Sequence, residues 1–428
     1  MRKLIIFALS QLLFLAACGG GDLAGTTGTT GTTTTTGSSA NVTAINNTNA
    51  ISMQVNAGPA NDSPNTPFVS VTICAPGSTT NCTTIDNVEV DTGSYGVRII
   101  ASVLQAANST VYNALTPETV SSQNLFACAM FGDGFTWGSM ATADVVLGTE
   151  RAASQSIQLM GDETDNIPSG CSSTGPEEDT VTTFGANGII GVGPFIQDCG
   201  ADCTTSTESG IYWSCPAGGG TCGQTVVTLA QQASNPVAAF TTDNNGIILE
   251  LPSIPDAGAA SAAGALVFGI GTESNNALGS ASVFGTDDEA FININYKNFT
   301  YTEGFIDSGS NLNYFNDGTI TTCASGSASI FCPSSELTET ALVEGASGSP
   351  QVSVTFNVSN PETLEENEPS FTAFDNVAAP PLATPVTSSL ESSEEFDLGL
   401  PFFYGRNIFT AIEGMNTTGG GEGPYFAF

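Results

Sequence analysis

Beyond residue 50 the chain is built from short apolar runs, such as Phe68-Val69-Ser70-Val71-Thr72-Ile73 and Gly246-Ile247-Ile248-Leu249-Glu250-Leu251, closed every few residues by Gly, Pro, Asn or Asp. Runs of this length, rich in β-branched residues and bounded by turn formers, predict strands. A helical period shows only around Ile100–Gln105, Val226–Gln232 and Pro401–Ile408, so any helices are short and peripheral. The Ser/Ala/Gly-rich stretch Ser253–Gly264 and the acidic, Pro-containing run Asn360–Pro369 read as exposed excursions. The pattern predicts an all-β body. Its length, residues 51–428, exceeds one compact domain and predicts either two lobes, 51–240 and 241–428, or one large β architecture.

One apolar run is different in kind. Leu4 to Leu15 follows Arg2 and Lys3 and ends in Leu15-Ala16-Ala17-Cys18-Gly19. A basic start, a short apolar stretch and small residues at its end are the marks of a signal peptide, here residues 1–17. The small residues before Cys18 resemble the lipobox cut by the bacterial lipoprotein peptidase, so Cys18 is expected to become the acylated first residue. Gly19 after it points to the outer membrane. Residues 18–50 are mostly Gly, Thr, Ser and Asn and have too little to bury, which predicts a flexible tether. The protein is thus expected in the bacterial cell envelope, touching membrane only through its lipid.

Charge and composition narrow the chemistry. The chain holds 6 basic and 42 acidic residues, and losing Arg2 and Lys3 with the leader takes the formal net charge from −36 to −38. Nucleic-acid binding is excluded by that balance. There is no His. Ser-His-Asp and Cys-His hydrolases and His-ligated metal sites all need imidazole, so a hydrolase made from this chain must work with carboxylates. Ten cysteines remain after Cys18, an even number in an exported chain, which predicts disulfides. Cys74 with Cys82 and Cys323 with Cys332 read as local loop staples. Cys199, Cys203, Cys215 and Cys222 leave their pairing open, and a four-Cys zinc site is the rival there.

Two segments repeat one another. Val88-Glu89-Val90-Asp91-Thr92-Gly93-Ser94 and Gly304-Phe305-Ile306-Asp307-Ser308-Gly309-Ser310 each lead β-type residues into Asp-(Ser/Thr)-Gly-Ser. At similar distances beyond them come Gly188-Ile189-Ile190-Gly191-Val192-Gly193 and Phe396-Asp397-Leu398-Gly399, the second with an Asp where an apolar residue is expected. One unit is present twice. A lone Asp-(Ser/Thr)-Gly is explained by an Asx-turn at a strand end, but the paired arrangement is not.

On these motifs the chain, from about Pro67 to its C-terminus, resembles the pepsin-like aspartic peptidases. It is also similar to bacterial secreted lipoproteins that share the motifs. The resemblance implies an all-β, bilobal pepsin-like fold with a central cleft. Asp91 and Asp307 would be the catalytic pair, with Gly191 and Gly399 on the strands that cross behind them. Thr92 and Ser308 would hydrogen-bond across to the opposite corner, and Ser94 and Ser310 would orient the outer carboxylate oxygens. Gly93 and Gly309 would let the corners approach. Leu266-Val267-Phe268-Gly269 and Phe402-Phe403-Tyr404-Gly405-Arg406-Asn407-Ile408 echo further segments of the family. The family's flap hairpin has its candidate in Phe131–Met140; the usual tip Tyr is missing, and Phe135 or Trp137 is expected in its place, Trp137 being equally readable as a packed aromatic.

The chemistry that the resemblance implies is hydrolysis of peptide bonds by a water activated between two carboxyls. Two such groups at hydrogen-bonding distance cannot both ionise easily, so they share a proton, and one serves as base while the other serves as acid. No metal or cofactor is required, and the partners expected are a peptide or protein substrate, with the protein a monomer. The rival readings are a pepsin-fold binding or scaffold lipoprotein that holds a peptide or glycan without cutting it, and a generic β adhesin in which the two Asp residues lie far apart.

Overall fold

The computed structural model describes residues 42–163, 167–323, 330–381 and 395–428. The leader, Cys18 and the tether up to residue 41 lie outside these residues. Within them strands dominate, and the helices are no longer than the seven residues of Ala101–Ala107 and Pro361–Asn367. The helical period at Ile100–Gln105 becomes the first of these. Val226–Gln232 yields only a single 3-10 turn, Leu229–Gln231, and Pro401–Ile408 divides into Leu400–Phe403 and the strand Asn407–Ala411. Gly405 explains the division: its φ of +76° reverses the chain between the two. Asn360–Pro369, expected as an irregular excursion, carries the helix Pro361–Asn367, which Asn360 caps through its side chain. Among the described residues no helix is long and apolar enough to cross a membrane.

The strands build two lobes on one plan. In the first, the strand Cys82–Asp91 lies parallel to Gly188–Val192, with Gly191 opposite Asp91, and Tyr95–Ile100 runs antiparallel on the other side of Gly188–Val192. In the second, Phe299–Ile306 lies parallel to Glu395–Leu398, with Asn313–Phe315 antiparallel beside it. The Asp307 amide continues that pairing by donating to the Leu398 carbonyl at 3.1 Å. Each Asp therefore ends a strand whose parallel neighbour arrives about a hundred residues later, a non-local pairing that fixes the corner from behind. Gly191 and Gly399 are required there. A methyl group on Gly191 would sit 2.2 Å from the Tyr95 amide nitrogen, and one on Gly399 would sit 2.0 Å from the Leu312 carbonyl oxygen.

A six-stranded antiparallel run joins the lobes: Ala50–Val55, Ala262–Phe268, Gly246–Glu250, Asn407–Ala411, Tyr425–Ala427 and Val283–Gly285. Segments from both halves of the sequence interleave in it, which is why the core is continuous from Ile51 through Ile247 and Leu266 to Phe402 and Phe426. The excursion expected at Ser253–Gly264 ends inside this sheet, because Gly264 packs so closely that a methyl would meet the Glu250 carbonyl at 2.3 Å. Residues 43–49, counted with the tether for want of apolar side chains, are held by polar ones instead. The Thr43 amide donates to Glu250 at 2.5 Å, and Asn49 donates to Asn275 at 2.8 Å. The result is the all-β, bilobal pepsin-like fold.

Five disulfides tie the loops: Cys74–Cys82, Cys128–Cys171, Cys199–Cys203, Cys215–Cys222 and Cys323–Cys332. The four clustered cysteines thus close two disulfides, which leaves no thiolates for a zinc site. Behind the first corner, a buried ion pair joins Arg98 of Tyr95–Ile100 to Asp198 at 2.9 Å. Gln158 accepts from Arg98 at 3.1 Å, and the Tyr212 hydroxyl donates to Asp198 at 2.7 Å, so both charges are fully partnered. Burial still pushes the Asp198 carboxyl upward against the pull of Arg98.

Candidate active site

The two Asp-(Ser/Thr)-Gly-Ser corners meet. The Thr92 hydroxyl donates to the Ile306 carbonyl at 3.1 Å and accepts from the Ser308 amide at 2.9 Å. Its counterpart does the reverse: the Ser308 hydroxyl donates to the Val90 carbonyl at 2.7 Å and accepts from the Thr92 amide at 3.1 Å. Four buried hydrogen bonds between segments more than two hundred residues apart thus lock the corners in a fixed mutual position. A short hydroxyl side chain is needed at both places, since each must give and take one bond at once.

The glycines that follow set how near the carboxyls come. A methyl on Gly93 would lie 2.7 Å from the Asp307 carboxyl, and one on Gly309 would lie 2.5 Å from Asp91 Oδ1. Only glycine admits the opposite carboxyl at that distance. Asp91 and Asp307 are both fully buried, and their carboxyls hydrogen-bond each other.

Their surroundings are unequal. Asp307 Oδ1 accepts from the Gly309 amide at 2.8 Å, and Oδ2 accepts from the Ser310 hydroxyl at 3.0 Å, with the Gly93 amide adding a further donor. Asp91 Oδ1 accepts from the Gly93 amide at 2.7 Å and Ser94 supports the carboxyl, but Oδ2 takes no hydrogen bond from any N–H or hydroxyl among the described residues. Burial raises both carboxyls above their ordinary range. For Asp91 the neighbouring Asp307 charge and Glu89 raise it further, so that it stands well above the usual value. For Asp307 the bonds from Asp91, Gly309, Ser310 and Gly93 oppose burial. The pair therefore holds a proton in common at pH values where a lone carboxyl would be ionised, with more hydrogen-bond donors gathered on Asp307 than on Asp91.

A family model described as "Protein of unknown function (DUF3443)" matches residues 43–428. The chain belongs to that family. Among the curated proteins none matches it. A solved structure similar to this DUF3443 chain is that of an aspartic proteinase from Irpex lacteus, 17% identical, with 88% of this chain and 96% of that one covered and a TM-score of 0.48. The meeting of the two corners, not that distant likeness, establishes the bilobal arrangement.

The aromatic residues expected at the flap are placed elsewhere in this DUF3443 chain. The hairpin exists, between the strands Gln123–Met130 and Phe135–Leu147, but its turn is Phe131–Gly134. Phe135 and Trp137 lie in the second strand, buried with Phe126, Trp213 and the Cys128–Cys171 disulfide. Trp137 stacks on Phe126 at 5.2 Å between ring centroids, and its indole N–H has no partner among the described residues. Cys128 stands opposite Trp137 in the hairpin, and its disulfide to Cys171 and the ring of Trp213 complete the cluster in which the two aromatics pack.

Two acidic residues beside the pair went unassigned in the sequence. Glu89 is fully buried two residues before Asp91, and Asp397 is buried two residues before Gly399. They occupy opposite strands of equivalent ladders, for Glu89 faces Ile189 across the first and Phe305 faces Asp397 across the second. Asp397 touches the Ser310 hydroxyl. Burial raises Glu89 and Asp397 well above the ordinary range, helped in each case by the nearby Asp307 charge. The signal for both was legible: an acid set between apolar residues at the corner end of its strand, Val88 and Val90 around Glu89, and Phe396 and Leu398 around Asp397.

Proposed function

We propose that this protein is an aspartic endopeptidase, tethered to the cell envelope through Cys18, that hydrolyses peptide bonds with Asp91 and Asp307. The observation that carries the reading is the locked approach of the two carboxyls, one rich in donors and one poor. The Asp307 carboxylate takes a proton from a water held between the two. The Asp91 carboxylic acid donates to the scissile carbonyl oxygen as the water adds to its carbon. Collapse of the resulting gem-diol expels the amine, which leaves with a proton returned from the pair. Ser310 and the Gly309 amide favour the charged form of Asp307 before it takes the proton, and the Thr92–Ser308 bonds keep the oxygens at working distance. The tether rests on the sequence pattern around Cys18, and the substrate is an extended peptide or unfolded protein segment.

Digestion of an unfolded protein across pH 3 to 7, with and without pepstatin and beside Asp91→Asn and Asp307→Asn, tests it. Pepstatin-sensitive cleavage lost in both variants is the expected result. A folded protein that cuts nothing at any of these pH values refutes the peptidase reading. The altered flap, which lacks the tip Tyr, would then favour a module that binds peptides without cutting them.

A further inference from the structure

The carboxyl of Glu89 stands beside the pair with nothing in the described chain to meet it. Side chains two apart on a strand share a face about 7 Å from one another, so Glu89 points to the side on which Asp91 works. Its charge is felt by Asp91 and Glu178, and it feels those of Asp307 and Asp133, so it belongs to one group of acids with the pair. The residue is 0% exposed, and neither Oε1 nor Oε2 has a hydrogen-bond partner among the described residues. Burying a carboxyl with both oxygens unpaired is costly. The fold does not require it, since the second lobe fills the equivalent position with Phe305.

The complement is a cation, and the described chain has none to spare. Four basic residues fall within the described residues, and each is engaged elsewhere: Arg98 with Asp198, Arg151 with Asp144, Lys297 with Asp317 and Glu339, and Arg406 with the Phe402 carbonyl. A divalent metal is a poor fit, because among the described residues no three carboxylate oxygens at this place come within 4.8 Å of one another. A side chain that brings its own donors fits better, and two free oxygens suit the fork of a guanidinium. The acidic surface would also draw a cationic peptide to the cleft.

Resting on the peptidase reading, we infer that Glu89 is a specificity-determining carboxylate that receives a lysine or arginine side chain next to the bond to be cut. Without substrate, burial and the neighbouring acids oppose the charged form of Glu89. An arriving cation gives its charged form the partner that the chain withholds.

The test uses matched peptides that differ only in the residue flanking the scissile bond, Arg, Lys or norleucine, with the protein and its Glu89→Gln and Glu89→Leu variants. Cleavage is read as kcat/KM, and binding of the same peptides is read by fluorescence anisotropy on Asp307→Asn with and without Glu89→Gln. The expected result is a preference for Arg over norleucine of about 10-fold or more, reduced to about one in Glu89→Gln and reversed in Glu89→Leu. Cleavage that favours norleucine and is indifferent to Glu89 overturns this inference and leaves the peptidase reading standing. Tight binding of the Arg peptide that depends on Glu89, without cleavage by the unsubstituted protein, upholds the cation site and refutes the peptidase. Neither cleavage nor Glu89-dependent binding overturns both.

Discussion

Raising the pH from 5 to 6.5 should destabilise this protein sharply. Burial pushes the Asp179 carboxyl up to about 8 and the Glu395 carboxyl up to about 7, and in each case neighbouring acids add to the rise. In the unfolded chain both titrate near the ordinary carboxyl values of about 4. Between those limits the folded state holds protons that the unfolded state has lost. Unfolding then releases protons, and the unfolding free energy falls as pH rises. Each such proton is worth about 1.4 kcal/mol per pH unit, so these two groups alone give a slope of about −3 kcal/mol per unit and a loss of about 4 kcal/mol over the interval. That is a large share of the roughly 5–15 kcal/mol that a folded protein has in hand. Stability from the two groups is complete below about pH 4 and is lost as pH passes through 7 and 8. Asp317 has the opposite sign: its bonds from Lys297, Thr319 and Tyr296 overcome burial and lower it to about 2, so its contribution is present above pH 4 and lost below. The maximum should therefore lie near pH 4. Urea unfolding followed by tryptophan fluorescence at pH 4, 5, 6 and 6.5 measures the slope, repeated at low salt and at about 0.5 M NaCl, where surface repulsion is screened but buried carboxyls are not. Glu395→Gln should remove about 1.4 kcal/mol per unit from the slope. Stability that is flat or rises between pH 5 and 6.5 at high salt refutes the reasoning.

Three further outcomes follow from the site. Thr92→Val keeps the shape but strands the Ser308 amide and the Ile306 carbonyl, and should cost about 2–4 kcal/mol in urea unfolding, whereas Thr92→Ser should cost less than about 1.5. Ser310 gives its one hydroxyl proton to Asp307, and burial with the Asp307 charge opposes ionisation of the adjoining Asp397, so the expected role of Asp397 is to donate to Ser310 as the acid. Asp397→Asn, which can still donate, should keep most of kcat, while Asp397→Leu should lower kcat more than KM and raise the acid limb of the pH–rate profile; equal effects of the two variants would refute the donor role. Trp137→Phe removes an indole N–H that has no partner among the described residues, so the loss of ring volume is partly offset, and its unfolding free energy should stay within about 1.5 kcal/mol of the original.

What could be read from the sequence was what chemistry restricts to few residue types. Asp91, Thr92, Gly93 and their counterparts at 307–309 are legible because each must do something no other residue does: share a proton, give and take a bond at once, or leave room for a carboxyl. The burial of Phe135 and Trp137 was not legible, because a strand aromatic looks the same whichever face it takes. Trp137 packs with Trp213 and the Cys128–Cys171 disulfide, and nothing near residue 137 in the sequence records that. Residues 43–49 were lost to the tether for a related reason, since they are held by Glu250 and Asn275 through polar contacts that composition does not weigh.

Glu89 and Asp397 show how a duplicated unit acquires direction. The ladder behind each Asp has one acid and one apolar residue facing each other, but the acid is on the Asp-bearing strand in the first lobe and on the crossing strand in the second. The first placement sets a carboxyl on the working side of the pair; the second sets one against Ser310, behind Asp307. Identical lobes would hold the shared proton equally. Here the donors gather on Asp307 and the unpaired oxygen falls to Asp91, so the surroundings of the two carboxyls differ before any substrate arrives. A cation drawn to Glu89 would then sit on one side of that ordered pair only. The same substitution of acids that breaks the symmetry of the repeat would thereby fix both which carboxyl acts as the base and which way a basic peptide lies across it.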